Sequence, residues 1–275
     1  MPGPPWAYPC WMIEALDLPA YLRRIRHDGD LRPDLATLQA LHLAHACTIP
    51  FENLDIQMGL PIRLDLGSLQ NKLVRRRRGG YCFEHNTLFL AVLRALGFEV
   101  MPCEARVRLG ALEPLPRTHM LLLVTLEGRP WLCDVGFGGE GLLHPVPGDG
   151  QAHAQFLNTY RVAEEPGERV WVLQSLQHGA WNDLYAFEPE ARLPVDFEMA
   201  SHYTSTHPDS RFRRTLTAQL PGPEVRRILR NRAYAELRGE AVEGRELAPE
   251  EVIPVLREAF GIDVPEGARF QAMEG

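Results

Sequence analysis

From Cys82 to about Leu96 the chain is apolar on most faces, because Phe83, Leu88, Phe89, Leu90, Val92, Leu93 and Leu96 leave no broad polar side. A helix of that kind has no face to give to solvent. The spacing therefore predicts a central helix wrapped by the rest of the molecule and stopped by Gly97. With 275 residues and 45% hydrophobic composition the chain has enough apolar material to do the wrapping, as one large domain or two to three small ones.

The segment before this helix, Arg75-Arg76-Arg77-Arg78-Gly79-Gly80-Tyr81, ends a polar stretch in two glycines and delivers Cys82 to the first helical turn. There the positive end of the macrodipole and the unpaired N–H groups favour a thiolate. Gly79 and Gly80 allow a sharp turn and leave space above the sulfur. Cys82 is thus a candidate nucleophile; its alternative is a small buried hydrophobe, and a lone cysteine needs a base. The four arginines read as a solvated helix end with one buried member. No aromatic residues interleave them, and the net charge is −7, so neither nucleic acid nor an anionic membrane is an expected partner.

Nowhere do about 18 apolar residues run together, and the N-terminal MPGPPWAYPCWM lacks the basic and apolar regions of a signal peptide, so a cytoplasmic location is expected. The first ten residues carry four prolines and are expected to lack fixed structure until they pack on something. Cys10, Cys47, Cys82, Cys103 and Cys133 show no C-x-x-C spacing and read as free thiols. His42 and His45 stand near Cys47, but without a second ligand cluster they read as helix surface or packing, and no metal is expected.

Helices are predicted over Pro19 to Ile25 with Asp17 as cap, over Asp34 to Ala46, and from a Ser68 cap through Val74; Pro50 to Leu54 reads as a loop. The first hundred residues are then all helical. From Phe98 the period changes to alternation, in Phe98 to Met101, Arg106 to Leu109, His119 to Val124, Trp131 to Val135, Thr159 to Val162, Val170 to Leu173 and Asp183 to Phe187. Strands separated by Gly and Pro turns imply an antiparallel sheet or barrel. The last seventy residues mix a strand-like Arg213 to Leu220 with a helix from Pro249 to Phe260.

A thiolate nucleophile needs a histidine to move protons and a carboxylate to orient that histidine. His119 begins one apolar strand and Asp134 lies in the next, where an unpaired carboxylate would be costly. A turn centred on Gly128-Arg129 would set Asp134 opposite Leu123, leaving His119 roughly 13 Å along the strand. Direct pairing needs a turn between Leu126 and Glu127, or a bulge.

These residues resemble the arylamine N-acetyltransferase family. Arg78-Gly79-Gly80-Tyr81-Cys82-Phe83-Glu84 with Asn86, Thr118-His119-Met120, and Asp134-Val135-Gly136-Phe137-Gly138 match its three motifs in order. Ile49 to Leu54 and Ser205 to Phe212 match as well. The resemblance implies an α+β, cysteine-proteinase-like fold with a helical bundle over 1–98, an antiparallel β-barrel over 99–206 and an α/β lid over 207–275. It implies acetyl transfer from acetyl-CoA, as cosubstrate, through an acetyl-cysteine on Cys82 to an arylamine or arylhydrazine nitrogen. His119 would be the base and Asp134 its orienter, Phe51 and Phe137 would line the acceptor pocket, and Gly138 and Gly139 would lie beside the coenzyme arm. Two features depart from the family: His85 replaces an apolar residue, and Arg24-Ile25 is not followed by Gly-Tyr. Competing readings are an amide synthase acting on a polyketide-type chain, a thiol hydrolase, and a binding module that lost its chemistry. The intact Cys82, His119 and Asp134 argue against the last.

Overall fold

The computed structural model describes residues 16–111 and 113–273, so Cys10 and the proline-rich start lie outside the described residues. Helix α1 (Leu18–Ile25) is capped by the Asp17 carboxylate, which accepts the Ala20 N–H, and helix α2 (Leu35–Thr48) by Asp34, which accepts the Thr37 N–H. The two-residue strand β1 (Phe51–Glu52) and the short helix α3 (Leu54–Gln57) occupy the stretch that reads as a loop. The strand is invisible locally because Pro50 and Asn53 punctuate it and its partner, Gln219-Ala218, is far along the chain.

The next helix also departs from expectation. Asp65, not Ser68, is the cap: its carboxylate accepts the Ser68 N–H, and helix α4 (Leu66–Leu69) starts early enough to bury Leu66. It widens into a π-helix over Gln70–Arg75, where Arg75 and the following Arg76 and Arg77 are exposed and Arg78 is buried. Helix α5 (Cys82–Ala95) is the central helix: every side chain from Cys82 to Leu93 is buried, and Gly97 follows its C-cap with φ near +87°.

The barrel sheet is antiparallel throughout. Its strands are β2 (Glu99–Val107), β3 (Arg117–Leu126), β4 (Arg129–Cys133), β5 (Val146–Pro147), β6 (His153–Gln155), β7 (Asn158–Glu164), β8 (Trp171–Gln177) and β9 (Ala180–Phe187), in the spatial order β5-β4-β3-β2-β9-β8-β7-β6. The two segments predicted within β2 are thus one strand. The β3–β4 hairpin settles the register differently from either alternative: Leu126 pairs with Arg129, and Glu127 and Gly128 both have positive φ, as a tight two-residue hairpin turn requires. Asp134 lies just beyond the end of β4. A bulge does exist, but on the β2 side, where Ala105 pairs with His119 and Arg106 with Arg117, leaving Thr118 unpaired in the ladder.

Helix α6 (Pro194–Thr206), with Pro194 in its first turn, packs on the N-terminal part, where the Tyr81 hydroxyl meets Ser201 Oγ at 2.5 Å. The predicted strand Arg213 to Leu220 divides into a turn of helix, α7 (Arg211–Arg214), and strand β10 (Thr217–Leu220). Strands β11 (Arg226–Arg230), β12 (Ala233–Arg238) and β13 (Ala241–Glu246) follow, then helix α8 (Val252–Glu258) behind a 3-10 turn at Pro249–Glu251. The second sheet runs β1-β10-β11-β12-β13, so its first strand comes from the N-terminal segment. Among the described residues no helix is long and apolar enough to cross a membrane.

A buried ion cluster fixes β1 to the turn before Cys82. Arg78 meets Glu52 at 2.7 Å and Asp55 at 2.9 Å, and Lys72 meets Asp55 and Glu84 at 2.7 Å each. Gly79 follows Arg78 with no room for a side chain, since a Cβ there would stand 1.8 Å from the Pro50 carbonyl oxygen. Arg78→Met strands Glu52 without its guanidinium, which should cost about 3–5 kcal/mol of stability in urea unfolding. Adding Glu52→Gln should recover part of that loss, while Arg76→Met at the exposed neighbour should change it by less than about 0.5 kcal/mol. An equal, small effect from both single arginine variants would show that the cluster does not hold the turn.

Candidate active site

The first turn of α5 presents Cys82 where three parts of the fold meet. From below comes the helix itself; from one side comes β3, whose first residues carry Thr118 and His119; from the other comes the segment after β4, with Asp134. The Cys82 thiol lies 3.7 Å from the Thr118 carbonyl oxygen. His119 Nε2 is 2.6 Å from Asp134 Oδ2, so the orienting bond that sequence spacing left unsettled is made. The carboxylate that makes it lies just beyond the last β3–β4 pair, Leu122 with Cys133.

Asp134 is buried and meets donors on both oxygens. The Tyr185 hydroxyl joins His119 at Oδ2 with a 2.9 Å bond, while Asn86 Nδ2 at 3.0 Å and the Gly136 N–H at 2.9 Å reach Oδ1. Burial opposes the ionised carboxyl, but the charge and hydrogen bond of His119, with the bonds from Asn86 and Gly136, outweigh it and hold Asp134 below the usual carboxylate range. For His119 burial works in the opposite direction, lowering the tendency to bind a proton. The Asp134 charge and hydrogen bond, aided by the bond the imidazolium can donate to the Cys82 sulfur, overcome this and push His119 up to about 10. With Nε2 committed to Asp134, Nδ1 is the nitrogen left for Cys82.

Gly136 is required at its position for space, since a Cβ would come within 2.8 Å of the Cys82 Cα. Phe137, nearly perpendicular to the imidazole, and Tyr185, tilted against it, pack on His119 with ring centroids 5.0 and 4.7 Å away. Over the sulfur lies a cavity of about 220 Å³, lined by Phe51, His119, Phe137, Tyr203, Phe212 and Leu115 among others. It opens beside a larger cleft of about 960 Å³, with which it shares Val107, Leu115, Arg211 and Phe212.

Cys82, His119, Asp134, Phe51 and Phe137 are therefore brought together. Gly138 and Gly139 are not part of this cavity. They are buried beneath β10 and β11, where the Gly139 N–H donates to Gln219 Oε1, Arg226 donates to the Gly139 carbonyl, and a Cβ on Gly139 would meet Ile228. Close packing against the second sheet accounts for the glycines here. Sequence reasoning missed Tyr185 and His42. Tyr185 gave a weak signal as an inward tyrosine whose hydroxyl had to find a partner. His42, far from surface packing, accepts the Asp134 backbone N–H at Nε2 over 3.1 Å. His85 is a fully buried, hydrogen-bonded helix residue. Among the described residues there is no group of three or more His, Cys, Asp or Glu side chains that could hold a metal ion.

Comparisons with known proteins identify the family. A family model described as N-acetyltransferase matches residues 34–269. The arylamine N-acetyltransferase of Mycolicibacterium smegmatis is 41% identical over 258 residues, covering 91% of this chain and 93% of that protein. The Escherichia coli K12 enzyme of the same name is 40% identical over 253 residues, 89% of this chain and 88% of that protein. Among solved structures, the Nocardia farcinica arylamine N-acetyltransferase superposes with a TM-score of 0.91 at 36% identity over 100% of both chains. The Mycobacterium marinum enzyme in complex with CoA does so with a TM-score of 0.85 at 38% identity, over 90% of this chain and 93% of that one. An α+β fold with a Cys-His-Asp cluster over an aromatic cavity, matched along nearly its whole length at this identity, makes the chain a member of the arylamine N-acetyltransferase family of acyltransferases.

Proposed function

We propose that the protein carries an acetyl group from acetyl-CoA to an arylamine or arylhydrazine nitrogen by a ping-pong route through an acetyl-cysteine on Cys82. The observation that carries this reading is the His119 imidazole, held between Asp134 and Cys82 and raised to about 10. In that state it is an imidazolium at neutral pH, the counterion that thiolate attack by Cys82 calls for. The thiolate attacks the acetyl carbonyl carbon, the bond from that carbon to the CoA sulfur breaks, and His119 gives its proton to the departing CoA thiolate. His119, now neutral, takes a proton from the acceptor nitrogen as that nitrogen attacks the acetyl carbon. The Cys82–carbon bond breaks, and thiolate and imidazolium are restored.

The cavity size favours a small aromatic acceptor. About 220 Å³ lies below the usual range for drug-sized ligands and suits a single aromatic ring, whereas a long polyketide-type chain asks for more. Its aromatic walls also limit the water that would turn transfer into hydrolysis. The adjoining cleft of about 960 Å³ is the route we assign to the coenzyme, and the M. marinum relative was solved with CoA bound.

Mass spectrometry of the protein with acetyl-CoA alone should show one added acetyl group on the peptide containing Cys82, lost on addition of an arylamine. Cys82→Ser should reduce turnover at least a thousandfold with little change in unfolding, because one imidazole cannot ionise a serine hydroxyl as it can a thiol. Arylamine acetylation by that variant at a tenth of the parent rate would remove Cys82 as nucleophile.

A second expectation concerns protonation. In the parent the His119 proton is present below about pH 10 and lost only as pH rises toward that value. Asp134→Asn removes the charge that raises His119 and leaves burial, so the imidazole should be neutral above its ordinary value near 6.5. At pH 7 iodoacetamide should then alkylate Cys82 at least tenfold more slowly than in the parent. The His119 ring proton resonances should titrate near or below pH 6.5 in the variant and remain flat from pH 6 to 8 in the parent. Superimposable titrations would leave Asp134 as a structural residue only.

A further inference from the structure

Helix α2 places two buried histidines one turn apart, and each reaches a different wall of the site. His42 Nε2 receives the Asp134 backbone N–H at 3.1 Å, and because an amide can only donate, that nitrogen is unprotonated. His45 serves the other wall through a chain of bonds whose direction is equally fixed. The Pro50 carbonyl can only accept, so His85 Nε2 donates to it at 3.1 Å, and His85 Nδ1 must then accept from His45 Nε2 at 2.9 Å. His45 Nδ1 in turn accepts from the Tyr21 hydroxyl at 2.8 Å. All three histidines are fully buried and neutral in this arrangement, as burial, which pushes His42 and His85 down to about 4, requires. Pro50 precedes Phe51, whose ring lies nearly parallel to that of His85 at 6.5 Å and lines the cavity over Cys82.

We infer that His42 and the His45–His85 pair are positioning residues with separable tasks: His42 sets the backbone of Asp134 for the chemistry at Cys82, and His45 with His85 sets Phe51 for the acceptor. The inference rests on the acetyl-cysteine reading, since the two walls matter in different half-reactions. His42 is bonded to the segment that carries Asp134, and the Leu143 backbone also acts on it. The bonds to His85 end on the segment that also carries Glu52, which the ion cluster ties to Arg78. No bond of either arm reaches the reacting atoms.

The test compares His42→Leu, His42→Gln, His85→Leu and His85→Gln in the full chain. A glutamine amide keeps an acceptor for Asp134 at position 42 and both a donor and an acceptor at position 85; leucine keeps neither. Three quantities are measured: Cys82 alkylation by iodoacetamide at pH 7, acetyl-enzyme formation from acetyl-CoA, and KM for an arylamine. His42→Leu should slow alkylation and acetyl-enzyme formation at least fivefold and leave acceptor KM within twofold. His85→Leu should raise acceptor KM at least fivefold and leave alkylation within twofold. Each glutamine variant should return to within twofold of the parent. Equal effects of both leucine variants on all three readouts, no effect of either, or failure of glutamine to restore them would overturn the inference. A parent that acquires no acetyl group would instead sink the reaction scheme, and alkylation, which needs no coenzyme, would still decide the role of His42.

Discussion

The ionised Asp134 carboxylate, buried beside an apolar helix, is the constraint from which much of the site follows. An unpaired charge at that depth would cost several kcal/mol, more than half the stability of many domains. It persists because His119, Tyr185, Asn86 and the Gly136 amide all converge on its two oxygens. Those donors come from β3, β9, α5 and the segment after β4, so the carboxylate can be satisfied only when barrel and central helix are docked. The same convergence fixes the His119 ring and leaves its second nitrogen facing the sulfur. Folding and the geometry of the Cys-His-Asp cluster thus depend on one set of bonds.

The sequence made the helix of Cys82 legible because its apolar residues cover most faces and its ends carry glycines. The histidine and the carboxylate were legible because a charged group inside an apolar strand demands a partner. Their register was not. The prediction stood or fell on which two residues formed the hairpin turn, and Glu127 adopts positive φ, a conformation usually left to glycine or asparagine. Periodicity also failed for β1, since two residues between Pro50 and Asn53 carry no period. Strand status there is conferred by Gln219 and Ala218, more than 160 positions away. The helix Pro194–Thr206 escaped for a related reason: only Phe197, Ser201 and Thr204 are buried in it, too weak an apolar stripe to read.

The two polar networks under the site share a logic that composition conceals. The chain is acidic overall, yet the region around the Cys82 turn contains Arg78 and Lys72 set against Glu52, Asp55 and Glu84. These pairs stabilise less by their attraction than by the penalty for breaking one partner away, which makes them specifiers of position. Glu84 shows the connection most directly. One carboxylate oxygen accepts the Tyr81 N–H at the start of the nucleophile helix, and the other meets Lys72. The place at which the helix begins, and hence the place of Cys82, is set by that link.

On the proposed reading, placement of the nucleophile and placement of the acceptor wall then become separable problems. Cys82 rides on a helix whose twelve leading residues are buried, and a rigid support of this kind keeps a reacting atom within a few tenths of an ångström. Phe51, by contrast, rides on a two-residue strand in a second sheet, a support with little stiffness of its own. Its position has to come from bonds made by neighbours: Glu52 to Arg78 on one side, the Pro50 carbonyl to His85 on the other. If Cys82 is the nucleophile and Phe51 the acceptor wall, as proposed, a helix-borne thiol with a wall held by side chains lets the chemistry stay fixed while the acceptor pocket changes. Acceptor preference should accordingly vary with the residues that hold the wall, and the Cys-His-Asp geometry should not.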